Sequence, residues 1–452
     1  MIGAGLAGLT AARDIVKAGH SVILLEARDR VGGRTLNQSI GGGKVVEIGG
    51  QWIGPTQNEI AKLAKQVGVR TFKTYNEGDN LYYTDGNIMP YASNGPFGAV
   101  PPDPSGIIDA EGAILKLDQM ASQTPRDAPW KHPDAASLDG TTVETWKQQN
   151  TTTPHGKFLI DVGIEAIFGA EPRDLSLLFL SFYIAGAGDE SNPGTFERLI
   201  NTPDGAQDSR FVGGSQLVSI KVARALGKRI VLDKPARRIV QSKGGVAVHS
   251  DRGYVAHGKQ VIVAMSPSLA GRIDYHPALP ALRDQLTQRV PNGSIIKCEA
   301  VYPKPFWRDA GLSGQVVSDA SPVRVTWDNS PPDGKPGVLL GFIAGSAARE
   351  YGRKSPAQRR AAVLNNFATY FGKDALKPTA FHEKNWSTDE WTRGCYTGYM
   401  PPGVLLGFGE ALRTPVGRIH WAGTETATIW AGYMDGAVRS GQRAAKEALA
   451  AL

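Results

Sequence analysis

Residues 3–8 read Gly3-Ala4-Gly5-Leu6-Ala7-Gly8, followed by a helix-like stretch to Ala18 and a strand candidate from Ser21 to Glu26. Three glycines at this spacing, opening a helix and followed by an acidic residue at the end of the next strand, are the fingerprint of a dinucleotide-binding βαβ unit. Gly3 permits the tight turn, Gly5 lets backbone approach a pyrophosphate at the helix N-terminus, and Gly8 allows close helix packing. Glu26 is then placed to accept hydrogen bonds from ribose hydroxyls. Only Met1 and Ile2 precede Gly3. Such a turn needs a strand to hold it, so the expectation is a first strand nearly absent and a chain that starts late relative to the fold.

Two later stretches read as returns to the same core. Phe211 to Ser266 contains the short β-branched runs 229–232, 238–240 and 261–263, and the segment from His420 onward gives a strand at 418–421 and a long helix from about Tyr433 to Leu452. Between them lie segments of different character, with proline-rich loops at 96–104 and 125–133, a helix at 355–371 and a strand at 338–342. The fold expected is α/β, a Rossmann-like dinucleotide domain discontinuous in sequence (1–71, 212–286 and 389–452) with a mixed α+β substrate domain (72–211 and 287–388). A chain of 452 residues suits two domains, since single cores stop growing at roughly 250 to 300 residues.

Composition narrows the class. With 41% hydrophobic and 21% charged residues the chain is globular, and its 54 glycines suggest several backbone-only contacts to a ligand. The net charge of +7 is scattered and not gathered into one run, which sets nucleic acid aside as a partner. Two cysteines, Cys298 and Cys395, fit a reducing compartment, so the cytoplasm is the expected location. No apolar run approaches the roughly 18 residues of a membrane span, and no signal peptide opens the chain. The eight histidines show no metal-ligand spacing, and His420 reads as structural.

The run Glu26-Ala-Arg-Asp-Arg-Val-Gly-Gly-Arg-Thr35 adds a second glycine pair ahead of an arginine whose fork suits phosphate. Here the chain resembles the flavin-containing amine oxidases of the monoamine oxidase type. The resemblance extends through Glu47-Ile-Gly-Gly-Gln-Trp-Ile-Gly-Pro-Thr-Gln-Asn58, Arg210-Phe-Val-Gly-Gly-Ser215, Asp233-Lys-Pro-Ala236, Gly293-Ser-Ile-Ile-Lys-Cys298, Lys304-Pro-Phe-Trp307 and Glu383-Lys-Asn-Trp386. It is densest in Gly394-Cys-Tyr-Thr397 and in the block from Trp421 to Val438. Bacterial-type members, putrescine and cyclohexylamine oxidases included, share the pattern, and the chain ends after its last helix without the apolar tail of mitochondrial members.

The resemblance implies FAD as cofactor, with an amine and O2 as small-molecule partners and a homodimer left open. Around FAD it places Gly3, Gly5, Gly8, Glu26, Arg28, Gly33, Arg34, Gly49, Gly50, Ala236, Gly423 and Glu425. Gly432 and Met434 join them through backbone N–H groups and a helix dipole facing the flavin N1 and O2 edge. Cys395 matches the cysteine that mitochondrial members bond to the flavin 8α carbon, while many bacterial members bind FAD without that bond, so both states stay open. Cys298 reads as packing.

Tyr396 and Tyr433 match a pair of aromatic residues that orients the amine nitrogen, where partial desolvation favours the uncharged amine. Lys297, in an otherwise apolar strand, matches a lysine that holds a water against flavin N5 and would assist the reaction with oxygen. Trp52, Ile167, Leu199, Ile200, Gln207, Trp327 and Phe342 should line the substrate space. Val325 departs from the bulky tyrosine of mitochondrial members. No arginine among these positions serves a substrate carboxylate, and no acid serves a second ammonium, although Glu165 and Glu171 are near in sequence. The activity implied is oxidative deamination of an apolar primary amine to aldehyde or ketone, ammonia and hydrogen peroxide. The alternatives are oxidation of a cyclic secondary or tertiary amine or a short diamine on the same fold, and, more distantly, flavin-dependent desaturation.

Overall fold

In the computed structural model, which describes residues 1–452, the glycine turn is carried by a parallel sheet drawn from five places in the chain. The order across it is Ile230–Val231, Leu24–Leu25, Ile2, Val261–Ala264 and Ile419–Ala422. The nearly absent first strand is therefore present as one residue. Ile2 N donates to Ile262 O at 2.9 Å and Ile2 O accepts from Ala264 N at 2.9 Å, while Gly3 N donates to Leu25 O at 2.8 Å. The strand expected from Ser21 is paired only at Leu24–Leu25, where Ile2 and Ile230–Val231 supply backbone partners.

Two helices pack on this sheet through small residues. Leu6–Lys17 and Met434–Ala450 meet so closely that a Cβ on Gly441 would lie 2.2 Å from Ala7 O, and one on Gly8 would lie 1.9 Å from Gly3 O. Alanines 7, 11, 264, 422, 444, 445 and 448 fill the contact beside Ile15 and Ile262, where burial of apolar surface stabilises the packing. The last helix starts one residue later than the sequence suggests, because Tyr433 has extended backbone and serves as its N-cap. A second, four-stranded sheet lies in the same half of the chain, in the order Val255–Gly258, Gly245–Ser250, Ala236–Ser242, Asp274–His276.

The other large sheet has seven strands, in the order Ala380–Asn385, Ile295–Tyr302, Gly337–Ala344, Val323–Asp328, Leu312–Ser318, Asp79–Thr84, Asn87–Ala92. The Ile295–Tyr302 strand is buried at every position, so Lys297 and Glu299 lie inside the molecule, not at its surface. Beside this sheet sits the largest apolar core, built from the helices Ile107–Ser122, Pro154–Phe168 and Leu177–Ala185. Pro356–Phe371 carries a capping box, Ser355 accepting from Gln358 N and Gln358 accepting from Ser355 N. A small sheet of Trp52–Ile53, Ser209–Phe211 and Thr71–Lys73 lies across the expected divisions at 71/72 and 211/212, tying the two halves together.

Candidate active site

Two cavities share a wall at the centre of the chain. The first is a cleft of about 1810 Å³ including its open mouth. Gly3, Gly5, Glu26, Arg28, Gly33, Arg34, Gly49, Gly50, Ala236, Cys395, Gly423, Gly432 and Met434 all line it. Gly8 and Glu425, also expected there, do not: Gly8 packs beneath the turn against Gly3 O, and Glu425 stands behind the wall, paired with Arg34.

The cleft fits a bound dinucleotide in two independent ways. Both helix N-termini open into it with no side-chain cap, leaving first-turn N–H groups to a ligand. Its lining carries Lys234, Arg237, Arg272, Lys297 and Arg393 in addition to Arg28 and Arg34, against Glu26 and Glu390, an excess of positive charge suited to an anion. Glycine is required at its walls, for a Cβ on Gly3 would meet Ala264 O at 2.6 Å and one on Gly432 would meet the Tyr183 hydroxyl at 2.1 Å. Glu26 braces the turn, its Oε2 accepting from Ala4 N at 2.7 Å and its Oε1 from Arg28 N at 3.0 Å.

Arg34 borders the cleft, but its fork is engaged. It donates to Glu425 Oε1 at 2.6 Å and Oε2 at 3.0 Å, and to Tyr396 O at 2.9 Å. Glu425 also accepts from Gly398 N at 3.2 Å, so the pair anchors the segment that carries Cys395 and Tyr396. Arg28 is likewise held by Asp389 Oδ1 at 2.5 Å and Thr392 Oγ1 at 2.6 Å. The Cys395 thiol is buried against the cleft and pushed up to about 12 by desolvation, which Arg34 and Lys297 oppose.

The second cavity spans about 1300 Å³ including its open mouth and is lined by Trp52, Ile167, Leu199, Ile200, Gln207, Trp327 and Phe342, every position expected from the sequence, with Val325 beside them. Trp52, Trp327 and Phe342 form an aromatic triangle with ring centroids 5.1 to 6.1 Å apart. Lys297 is the sole charged residue on its walls. Glu165 and Glu171 stay outside, paired with Arg324 at 3.1 Å and Arg349 at 2.8 Å. Gln207 donates to Leu199 O at 3.1 Å while its Oε1 is buried without a partner.

Gly49, Gly50, Lys297, Phe342, Tyr396, Gly432, Tyr433 and Met434 line both cavities. At this seam Tyr396 stands edge-on to Phe342, centroids 5.5 Å apart and planes at 86°, and Tyr433 meets Trp430 at 4.7 Å and 77°. Burial pushes both phenols well above their ordinary range, so they act as neutral rings. The Lys297 ammonium donates to Gly49 O at 2.9 Å and to Glu47 O and Gln51 Oε1, and burial draws it down to about 8.

A large dinucleotide cleft opening onto an apolar cavity through two aromatic rings and a lysine matches the outcome of comparison with known proteins. The family model for flavin containing amine oxidoreductases matches residues 6–449. The chain belongs to that family. This flavin-containing amine oxidase is 40% identical over 452 residues to the probable flavin-containing monoamine oxidase A of Dictyostelium discoideum, covering 99% of this chain and 96% of the relative. It is 38% identical to the human flavin-containing amine oxidase B, covering 100% of this chain and 86% of that one. Among solved structures, the cyclohexylamine oxidase of Brevibacterium oxydans superposes with a TM-score of 0.92 at 35% identity, covering 99% and 97%. A putrescine oxidase bound to putrescine gives 0.92 at 34% identity, covering 99% and 98%. No helix is long and apolar enough to cross a membrane.

Three features of this amine oxidase escape the sequence reading. Tyr183 lines the amine cavity from a helix buried at every position, 6.1 Å from the Tyr433 ring, and its signal was a lone phenol within an apolar run. Trp386 and Trp391 wall the cleft, the first donating to Ile48 O at 3.1 Å and the second lying under Arg237 at 5.2 Å. Glu299, two residues beyond Lys297, is fully buried beside it. Cys298 packs, as expected, on the opposite face of that strand among Ile296, Ala300 and Phe367.

Proposed function

We propose that this enzyme deaminates an apolar primary amine to an aldehyde or ketone with ammonia and hydrogen peroxide, using O2 as acceptor. The observation that carries the reading is the amine cavity, whose walls are aromatic and aliphatic, bear neither carboxylate nor arginine, and meet the cleft at Tyr396, Tyr433 and Lys297. An amine entering so apolar a space is favoured in its uncharged form, and the two rings would orient its nitrogen toward the cleft. Segments 1–71, 212–286 and 389–452 would supply most of the cofactor site, and 72–211 with 287–388 most of the cavity, with Trp52 and Trp386 among the exceptions.

FAD, when bound, supplies two-electron oxidation and passes the electrons to O2. Gly3 and Gly5 with the first turn of Leu6–Lys17 would hold its pyrophosphate, Glu26 its ribose and the Ala236 backbone its adenine. Gly432 and Met434, at the start of the last helix, would favour negative charge on the flavin. Lys297 would place a cation at the seam, where oxygen chemistry develops negative charge. Cys395 is the position for a thioether to the cofactor: after acid precipitation, colour in the pellet that Cys395→Ala releases establishes the bond, and colour in the supernatant excludes it.

A short diamine is the second reading, favoured by the likeness to putrescine oxidase; the absence of a carboxylate from the cavity walls weighs against it. A peroxide assay across arylalkylamines, cycloalkylamines and short diamines separates them. The expected result is turnover of the first two groups, and turnover of diamines alone would overturn the primary reading.

A further inference from the structure

Behind Lys297 lies a buried group of charges that lines neither cavity except through the lysine itself. Lys297 and Glu299 project from the same side of the Ile295–Tyr302 strand, two residues apart, and are 2% and 0% exposed. The ammonium donates to Glu47 O, Gly49 O and Gln51 Oε1, so its three N–H groups are all taken by neutral acceptors. Glu299 Oε1 lies 3.7 Å from the Lys297 Nζ, outside hydrogen-bond reach, and acts on it as a charge without a directed bond.

The carboxylate is held at that distance. Glu299 Oε1 accepts from Asn329 Nδ2 at 3.1 Å, and Asn329 Oδ1 accepts from Gln51 Nε2 at 2.8 Å, closing a ring from Lys297 through Gln51 and Asn329 to Glu299. Glu299 Oε2 is buried with no partner. A bare carboxylate in such a place is costly unless a cation answers it.

The other charges nearby are already answered. Arg210 and Glu47 pair at 2.6 Å, both nearly inaccessible, and Arg210 also donates to Ser330 O at 2.8 Å. His382, opposite Glu299 on the adjoining strand, is drawn below its ordinary value by burial, and the nearby Cys395 thiol is pushed up to about 12. Glu299 is thus the carboxylate within 4 Å of Lys297 that has no other cation, and Glu47 adds a weaker pull in the same direction. Burial is the main influence against charge on each, helped by Arg210 at the lysine and by Glu47 at the carboxyl, and brings the lysine to about 8 and the carboxyl to about 7, while each opposes that shift in the other.

We propose that Glu299 is a positioning residue for the oxygen half of the reaction, holding Lys297 as the ammonium at the seam between the two cavities. The proposal rests on the oxygen role given to Lys297 above. Between about pH 7 and 8 both partners are charged. Below that window the carboxyl gains a proton, and above it the lysine loses one.

The test uses FAD-loaded wild type, Glu299→Gln, Glu299→Asp and Lys297→Met. Infrared pH titration reads the pair without turnover: a carboxylic C=O band should rise as pH falls through about 7, be missing from Glu299→Gln, and shift to higher pH in Lys297→Met. Stopped-flow reoxidation should lose rate at alkaline pH as Lys297 deprotonates. In Glu299→Gln that limb should move one unit or more to lower pH, the scale of a lost neighbouring charge, and Glu299→Asp should restore most of it.

A band indifferent to Lys297→Met, or an alkaline limb that Glu299→Gln leaves in place, overturns the proposal. If Glu299→Gln fails to retain FAD, Glu299→Asp and the infrared comparison of wild type with Lys297→Met still decide it. Coupled infrared midpoints with pH-independent reoxidation would support the pairing and overturn instead the oxygen role of Lys297.

Discussion

The dinucleotide cleft and the amine cavity share a wall but are built by opposite means. The cleft is shaped by missing side chains, with Gly3 and Gly432, and Gly8 beneath the turn, each bringing backbone or a neighbouring hydroxyl to where a Cβ would stand. The cavity is shaped by large ones, Trp52, Trp327, Phe342 and Tyr183, brought in from three distant segments. Close backbone approach tolerates no addition, whereas a wall of side chains tolerates trimming at the cost of looser substrate placement. The two regions should therefore fail differently when altered.

The largest effect is expected in the cleft. Gly8→Val places atoms where Gly3 O already lies 1.9 Å from an added Cβ, and should abolish FAD loading, read as loss of flavin absorbance in purified protein. Retention of the flavin with normal affinity would show that the turn is not fixed by that contact. At the seam, Lys297→Met should slow reoxidation by about 100-fold, the scale for removing one electrostatic stabiliser, with reduction by amine much less affected. Equal slowing of both half-reactions would remove the distinction.

Tyr396→Ala and Tyr433→Ala come next. Each should lower the reductive rate roughly 5- to 150-fold, about 1 to 3 kcal/mol of lost positioning, while the FAD dissociation constant moves only a few-fold. FAD loss in place of a rate defect would transfer these rings from the cavity to the cleft. The smallest effect is expected deep in the cavity, where Gln207→Ala should change the KM for an apolar amine about 5-fold or less, the weight of one hydrogen bond.

Legibility followed the same division. The glycine turn and Glu26 form a short-range pattern that the residues themselves carry, whereas Cys395, Gly423, Gly432 and Met434 were placed at the cleft through the resemblance at 394–397 and 421–438. Ile2 could not be valued correctly, because its strand character comes from Val261–Ala264 and Leu24–Leu25 on either side and not from its own neighbours in sequence. The cavity lining was legible only through resemblance, since no spacing in the chain joins Trp52 to Trp327. Arg34 shows the limit of motif reading: its chemistry suits phosphate, but Glu425, 391 positions away, takes its fork. Glu299 went unremarked because its meaning depends on Gln51 and Asn329 closing the ring around it.

The measurement that bears most directly on the assignment is anaerobic mixing of the FAD-loaded enzyme with a panel of amines while flavin absorbance is followed. Apolar primary amines should bleach the flavin fully, and admitting oxygen should restore the colour with about one hydrogen peroxide per flavin. A flavin that no amine bleaches would contradict the reading of the cavity as an amine site.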